Sequence, residues 1–291
     1  MLNEHGFADL HVHTTASDGM DTLSERCVHA KEANLPVFAV TDHDCLHPAF
    51  SEPIMKTDHC AIISGAEIRA GVAGHEVEIL GLFLNPTSTE LRDVLERVQQ
   101  HRIDRNQAIV RALRTHAGLE TTYETLINRV DGVLTRPHLA EQLKREDIVE
   151  SHDAAFQQYL KSGVKTHEPL QLVECEEVIS AIHDAGGVAS LAHPGYFQPP
   201  ESDRTVDSLA SLIQRLQTAG LDAIEVMYEY GESGFSAPRA AALASDIGLL
   251  QTGGSDCHGS KNSITTIGDV RVSRPEFQRL YQRADTAISP Y

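Results

Sequence analysis

Side chains able to bind divalent metals recur in this chain at the ends of short apolar runs. Asp9-Leu10-His11-Val12-His13 sets two histidines one residue apart. Strand side chains alternate, so both imidazoles project from one face. Asp18-Gly19 follows. Asp42-His43-Asp44 comes after Val37-Phe38-Ala39-Val40, and Glu67 after Ala61-Ile62-Ile63. His75 and Glu78 lie in one strand-like stretch, His193 follows Val188–Ala192, and Asp256 and His258 follow Leu249–Thr252. Neutral imidazoles and carboxylates suit Mn²⁺, Fe²⁺ or Zn²⁺, and the absence of a thiolate set disfavours a structural zinc site. Carboxylates bridge ions, so the set is expected to hold two or three divalent metals. Such ions polarise a phosphoryl group and generate hydroxide from bound water near neutral pH, which points to hydrolysis of a phosphate ester.

The elements that must position these groups alternate. Thr22-Leu23-Ser24-Glu25 has the spacing of a capping box and predicts a helix to about Ala33. Val37–Val40 is a continuous apolar run of the kind buried on both faces of a parallel sheet. Helical periodicity returns over 174–185, 206–219 and 237–247, each followed by a strand-like run, at 188–192, 223–226 and 249–252. Between residues 87 and 163 the strand signal vanishes and apolar residues recur at helical spacing, as in Leu91, Val94, Leu95 and Val98. These patterns predict an α/β barrel with its site at the strand C-termini, built from 1–86 and 164–291, with 87–163 a small helical insertion. The insertion carries Thr135-Arg136-Pro137-His138, a rigid turn with an arginine and a histidine.

Composition bounds the function. A formal net charge of −18 argues against a basic groove for long nucleic acid. With few lysines the surface suits a salt-loving cytoplasm or simply an acidic bacterial protein. No apolar run approaches the roughly 20 residues that span a bilayer. The N-terminus has neither a basic nor an apolar leader region, so a cytoplasmic protein without a membrane partner is expected. The five cysteines are odd in number and form no Cys-x-x-Cys pair, and Cys257 reads as packing.

Taken in order, Asp9-Leu10-His11-Val12-His13-Thr14, Ser17-Asp18-Gly19, Thr41-Asp42-His43-Asp44, Gly65-Ala66-Glu67, Ala192-His193-Pro194 and Gly254-Ser255-Asp256-Cys257-His258 resemble the motifs of the PHP (polymerase and histidinol phosphatase) superfamily. The resemblance implies a distorted (β/α)₇ barrel. It implies one metal on His11, His13, Glu67 and Asp256, and a second on Glu67, His193 and a ligand from the His75–Gly81 strand. A third would lie on Asp18, His43 and His258. The 135–140 stretch and the approach to His193 are similar to the subgroup that removes the 3′-phosphate of nucleoside 3′,5′-bisphosphates, some relatives of which degrade short RNA from the 5′ end. The implied substrate is a small phosphorylated nucleotide covered by the insertion. The departure is Glu78, where that subgroup usually has histidine. Either Glu78 or His75 completes the second site, or that metal is weakly held.

Asp9 and Asp42 are expected to orient neighbouring ligand histidines rather than bind metal. Arg136 and His138 are candidates for phosphate binding and catalysis, with a solvated turn as the alternative, and Arg239 is a further phosphate candidate. The group that protonates the leaving oxygen is His138 or a metal-bound water. Tyr196 either stacks on a base or packs its loop. Alternative functions are histidinol-phosphate phosphatase, a 5′–3′ exoribonuclease on short RNA, and a non-catalytic module of the same family.

Overall fold

Each apolar run becomes a strand, and seven strands form one continuous path. The computed structural model describes residues 6–130, 134–161, 171–196, 206–228, 236–259 and 265–284, without the side chains of 196 and 206–208. The boundary at 163–164 lies outside the described residues. The strands are β1 (Ala8–Val12), β2 (Val37–Val40), β3 (Ile54–Lys56), β4 (Ala61–Val72), β5 (His75–Leu82), β6 (Val188–Leu191), β7 (Ala223–Met227) and β8 (Leu250–Gly253), in the order β1-β2-β4-β5-β6-β7-β8. The chain after β8 returns to β1. Val12 and Cys257 form a parallel bridge, the Asp256 N–H donates to the His11 carbonyl at 2.9 Å, and the His13 N–H donates to the Cys257 carbonyl at 3.1 Å. These bonds bring the sheet round into a distorted barrel.

The barrel is not a uniform βα repeat. β5 runs antiparallel to both β4 and β6. The cause is local: only Ala73 and Gly74 connect β4 to β5, both at positive φ (50° and 81°), and so short a link permits a hairpin but no parallel crossover. The same continuity corrects the position of Glu67. It lies within the long strand β4, not beyond its end, and Glu78 lies within β5. The short strand β3 pairs antiparallel with β4 and was not apparent from the apolar pattern.

Helices wrap the outside. α1 (Leu23–Glu32) begins with the expected capping box of Thr22 and Glu25. α2 (Thr89–His116), capped by Ser88, is a single helix of 28 residues. Its first turns pack Leu91, Val94, Leu95 and Val98 against the barrel core, while Ile109, Val110 and Leu113 join a separate core. That second core unites α2 with α3 (Tyr123–Ile127), α4 (Arg136–Arg145) and α5 (His152–Ala155), the last continuing into a π turn to Leu160. Leu113, Leu139 and Leu143 are buried there, and truncating any of them to alanine should cost about 2–5 kcal/mol. α6 (Cys175–Asp184), α7 (Val206–Thr218) and α8 (Ala237–Ile247) follow the alternation, and α9 (Arg274–Arg283) closes the chain. α9 packs Phe277, Leu280 and Tyr281 against the inner barrel residues Leu10, Ala39 and Ile63. No helix among the described residues is long and apolar enough to cross a membrane.

Candidate metal centre

β1 ends in a register slip between Asp9 and Val12, and Leu10 and Val12, two residues apart, pack into different cores. The strand presents His11 and His13 to a common point. Their Nε2 atoms are 3.2 Å apart, and each stands 3.1–3.3 Å from Asp256 Oδ1 and 3.4 Å from a Glu67 oxygen. Ligands about 2.1 Å from a tetrahedral zinc stand about 3.4 Å apart, so His11, His13 and Asp256 are already spaced for one ion, with Glu67 beside both imidazoles.

Asp18 is carried by a loop tied down from β2. The Asp42 carboxylate accepts from the Thr14 N–H at 2.8 Å, the Thr14 hydroxyl at 2.7 Å and the Ser17 hydroxyl at 2.6 Å. Gly19 lets this loop run against β1, since a Cβ there would meet the His13 backbone at 2.7 Å. Asp18 then lies 3.6 Å from His43 Nε2 and 3.3 Å from His258 Nε2. His13, Asp18, His43 and His258 form one group with a donor atom each within 4.8 Å of the others. Asp9 works similarly on the other side. Its carboxylate accepts from the Ser255 N–H at 2.9 Å, the Ser255 hydroxyl at 2.7 Å and the Gly268 N–H at 2.8 Å. Burial pushes Asp9 up to about 6 despite these donors. Asp9 and Asp42 therefore orient the loops that bear Asp256 and Asp18, and among the described residues neither carboxylate hydrogen-bonds a ligand imidazole, contrary to the expectation that they orient the ligand histidines directly. Gly254 carries its loop over β1, where a Cβ would meet His11 at 2.4 Å. Asp256 itself sits at φ 51°, a left-handed conformation uncommon outside glycine.

The third corner lies on the β4–β5 hairpin. His43, Glu67 and Glu78 form a group, and His193 Nε2 lies 2.8 Å from Glu67 and 3.3 Å from Glu78. Glu78 is brought to this corner and His75, at the start of β5, belongs to none of the donor groups. Glu78 is paired with Arg69, which stands opposite it across the hairpin and donates at 2.7 Å.

Electrostatics match this geometry. Burial disfavours every charge here, yet the carboxylates of Asp256, Glu67 and Glu225 hold His11 well above its ordinary range. Against burial, Asp18 and Glu67 lift His43 to about 9, and Asp256 and Asp18 lift His258 to about 10. Burial and the neighbouring imidazoles of His258 and His43 lower His13. Against burial, the surrounding histidines hold Asp18, Glu67 and Asp256 well below the carboxylate range. Carboxylates this close demand positive charge, because an uncompensated buried charge costs several kcal/mol. Among the described residues His13 Nδ1 is buried without a hydrogen-bond partner, while His43 Nδ1 and Glu67 Oε2 face each other at 2.9 Å as an ion pair. Divalent cations fit this set of imidazoles and carboxylates and would supply the charge it calls for.

The turn singled out in the insertion opens α4. Arg136 is half-buried and has no hydrogen bond or ion pair within the described residues. Burial and Arg69 lower its pKa, while Glu76 and Glu78 act against them, which places Arg136 in the field of the hairpin corner. His138 Nδ1 accepts from the Thr135 N–H at 3.0 Å, so its Nε2 carries the proton in the neutral ring. Burial lowers the His138 pKa, and Asp18 is the charge that opposes the shift. Arg239 is exposed in the first turn of α8. Tyr196 falls in a 3₁₀ turn, and its side chain lies outside the described residues.

Besides Arg69, three participants were not anticipated. Glu225 in β7 bridges His11 Nδ1, at 3.1 Å, and the His193 N–H, at 2.8 Å. A glutamate inside the apolar run Ala-Ile-Glu-Val-Met was the available signal. The Tyr228 hydroxyl donates to Asp256 Oδ2 at 2.8 Å. Arg26, buried under α1, donates to the carbonyls of His13 and Cys257 at 2.9 Å each and so locks the strand junction beneath the site.

The PHP domain family matches residues 9–167, more than half of the chain. The chain belongs to the PHP family. As a PHP protein it is a metal-dependent phosphoesterase. It is 32% identical over 254 residues to the 5′–3′ exoribonuclease Rnm of Salmonella typhimurium, covering 86% of this chain and 84% of that one. It is 28% identical over 284 residues to a 3′,5′-nucleoside bisphosphate phosphatase of Chromobacterium violaceum, covering 94% and 96%. Among solved structures, a protein from Bifidobacterium adolescentis described as a metal-dependent phosphoesterase superposes with a TM-score of 0.79 at 24% identity, covering 97% of both chains. A Chromobacterium violaceum protein titled an amidohydrolase with bound sulfate gives 0.79 at 25% identity, covering 95% and 96%. These likenesses agree with the PHP barrel.

Proposed function

We propose that this PHP protein is a cytoplasmic phosphomonoesterase that removes the 3′-phosphate of nucleoside 3′,5′-bisphosphates, using two or three divalent ions such as Mn²⁺, Fe²⁺ or Zn²⁺. The observation that carries the reading is the placement of Arg136 and His138. Supporting it, the half-buried Arg136 feels the charges of Glu76 and Glu78, and His138 that of Asp18, so both turn residues lie within electrostatic reach of the ligand cluster. The similarity to a bisphosphate phosphatase along nearly the whole chain supports it.

One ion would rest on His11, His13, Glu67 and Asp256, a second on Glu67, Glu78 and His193, and a third on Asp18, His43 and His258. When bound, these ions supply Lewis acidity and a nucleophilic hydroxide near neutral pH. The chain's own residues do the rest. Glu225 fixes the His11 ring through Nδ1, leaving Nε2 to the centre. Tyr228 holds one oxygen of Asp256 and frees the other. The Arg136 guanidinium offers a planar fork to two oxygens of the phosphoryl group and stabilises its charge as the ester bond breaks. His138, with Nδ1 occupied by Thr135, donates from Nε2 to a phosphate oxygen or to the departing sugar oxygen.

The runner-up is 5′–3′ exoribonuclease activity on short RNA, favoured by relatives of that name in Salmonella typhimurium, Escherichia coli and Haemophilus influenzae. The net charge of −18 sets it second, since polyanion binding relies on cationic surface. Turnover of adenosine 3′,5′-bisphosphate, histidinol phosphate and a 5′-phosphorylated trinucleotide, compared at equal Mn²⁺, tests the assignment. The bisphosphate should give the highest kcat/KM. A trinucleotide or histidinol phosphate preferred by an order of magnitude would replace it.

A further inference from the structure

The seam between barrel and insertion contains a cavity of about 330 Å³ that no step above uses. We infer that it is the subsite for the nucleobase, an inference that rests on the nucleotide reading. Its position follows from its walls. Ala16 lies two residues before Asp18, Cys45 two after His43, and Leu134 two before Arg136. The cavity is therefore walled by the same loops that carry the third ligand cluster and the arginine turn. A phosphate held between those groups has its sugar and base directed into the seam.

The lining has the chemistry of a base pocket. Leu46, Ile103 and Ile127 provide apolar surface, and Tyr123 provides an aromatic ring. Two carboxamides join them with their nitrogens already committed: Gln99 Nε2 donates to the Asp44 carbonyl at 2.8 Å, and Asn106 Nδ2 donates to the Leu134 carbonyl at 2.7 Å. That leaves their oxygens as acceptors, the complement of an exocyclic amine on a base. Arg102 also lines the cavity, but its charge is spent on the buried Asp44 carboxylate, to which its Nε donates at 2.7 Å. The cavity is thus nearly neutral, unlike the phosphate end. Its volume sits at the small end of the roughly 300–1,000 Å³ typical of ligand pockets, enough for one base and too little for several. Ile103 is 36% exposed, a large apolar side chain left partly open at this seam. A base stacked on an aromatic ring is worth about 1–3 kcal/mol, which is at least about 5-fold in affinity.

The test compares adenosine 3′,5′-bisphosphate with the same bisphosphate carrying hydrogen in place of the base, using Mn²⁺-loaded full-length protein. The wild type should favour the adenine compound by about 10-fold in kcat/KM. Ile103→Trp, which fills the cavity from its open side, should bring that ratio close to one, and Tyr123→Ala should lower it as well. A wild-type ratio near one, or a ratio left intact by a folded Ile103→Trp, overturns the base subsite alone. Hydrolysis of neither compound overturns the nucleotide reading together with the subsite.

Discussion

Arg69 and Glu78 stand directly opposite each other on β4 and β5, and the guanidinium donates to the carboxylate at 2.7 Å. Arg69 also lies 3.2 Å from Glu76. Burial and the nearby Glu67 disfavour a charge on Glu78, and Arg69 reverses the balance, holding Glu78 well below the carboxylate range. The pair explains how a carboxylate can stand where the PHP subgroup usually has histidine: the extra negative charge arrives with its own cation.

Arg69→Met should therefore destabilise the metal-free protein by about 3 kcal/mol, because it strands a buried charge. The loss should shrink when Mn²⁺ is added, since a bound ion supplies the missing charge. Thermal denaturation with and without metal reads both. Equal melting temperatures for the variant and the wild type would mean that the pair carries no such load.

The raised imidazoles set a pH dependence for the metal-free chain. His43 and His258 go from an ordinary 6.5 to about 9 and about 10 in the folded state. Their contribution to stability is fully present below pH 6.5 and is lost as pH rises through 9 to 10, because the folded state holds the protons longer. Metal ligation needs neutral imidazoles, so loading at pH 7 should release protons. Calorimetric titration with Mn²⁺ in two buffers of different ionisation heat should give proton release above one per protein. Zero release would contradict the charged histidine cluster.

Arg136 has no hydrogen bond or ion pair within the described residues, so removing it should spare the fold. Arg136→Ala should keep the melting temperature and bound metal while lowering kcat/KM by about 100-fold, the scale of one lost charge-stabilising group. Arg136→Lys should recover part of this, since a point charge replaces the fork imperfectly. Full activity in Arg136→Ala would remove it from the phosphate site.

Asp42 receives three donors from Thr14 and Ser17, and Asp18 hangs on the loop they fix. Asp42→Ala should leave several buried donors unpaired and release that loop. The result should be loss of one bound metal by mass spectrometry or elemental analysis, with the remainder retained. Unchanged stoichiometry would mean that Asp18 finds its place without this anchor.

Much of the candidate site was legible because its groups are local. His11 and His13 lie on and just after one strand, Asp256 and His258 share one turn, and every strand but β3 shows itself in the apolar pattern. The residues that were missed depend on long-range register. Arg69 meets Glu78 only because β4 and β5 form a hairpin, and Glu225 in β7 meets His11 only because the chain after β8 returns to β1. The hairpin itself could have been read from Ala73-Gly74, too short a link for a parallel crossover. α9 could have been read as well, since Ser273-Arg274-Pro275-Glu276 holds a capping box with proline in the first turn. Strand alternation alone failed at β1, where the register slip sends Leu10 and Val12 into different cores.

The central claim concerns which phosphate is removed from which molecule. Phosphorus NMR of adenosine 3′,5′-bisphosphate incubated with the Mn²⁺-loaded protein reads it directly. The account requires inorganic phosphate and adenosine 5′-monophosphate in equal amounts. Accumulation of the 3′-monophosphate, or an unchanged substrate alongside rapid hydrolysis of short RNA, would contradict it.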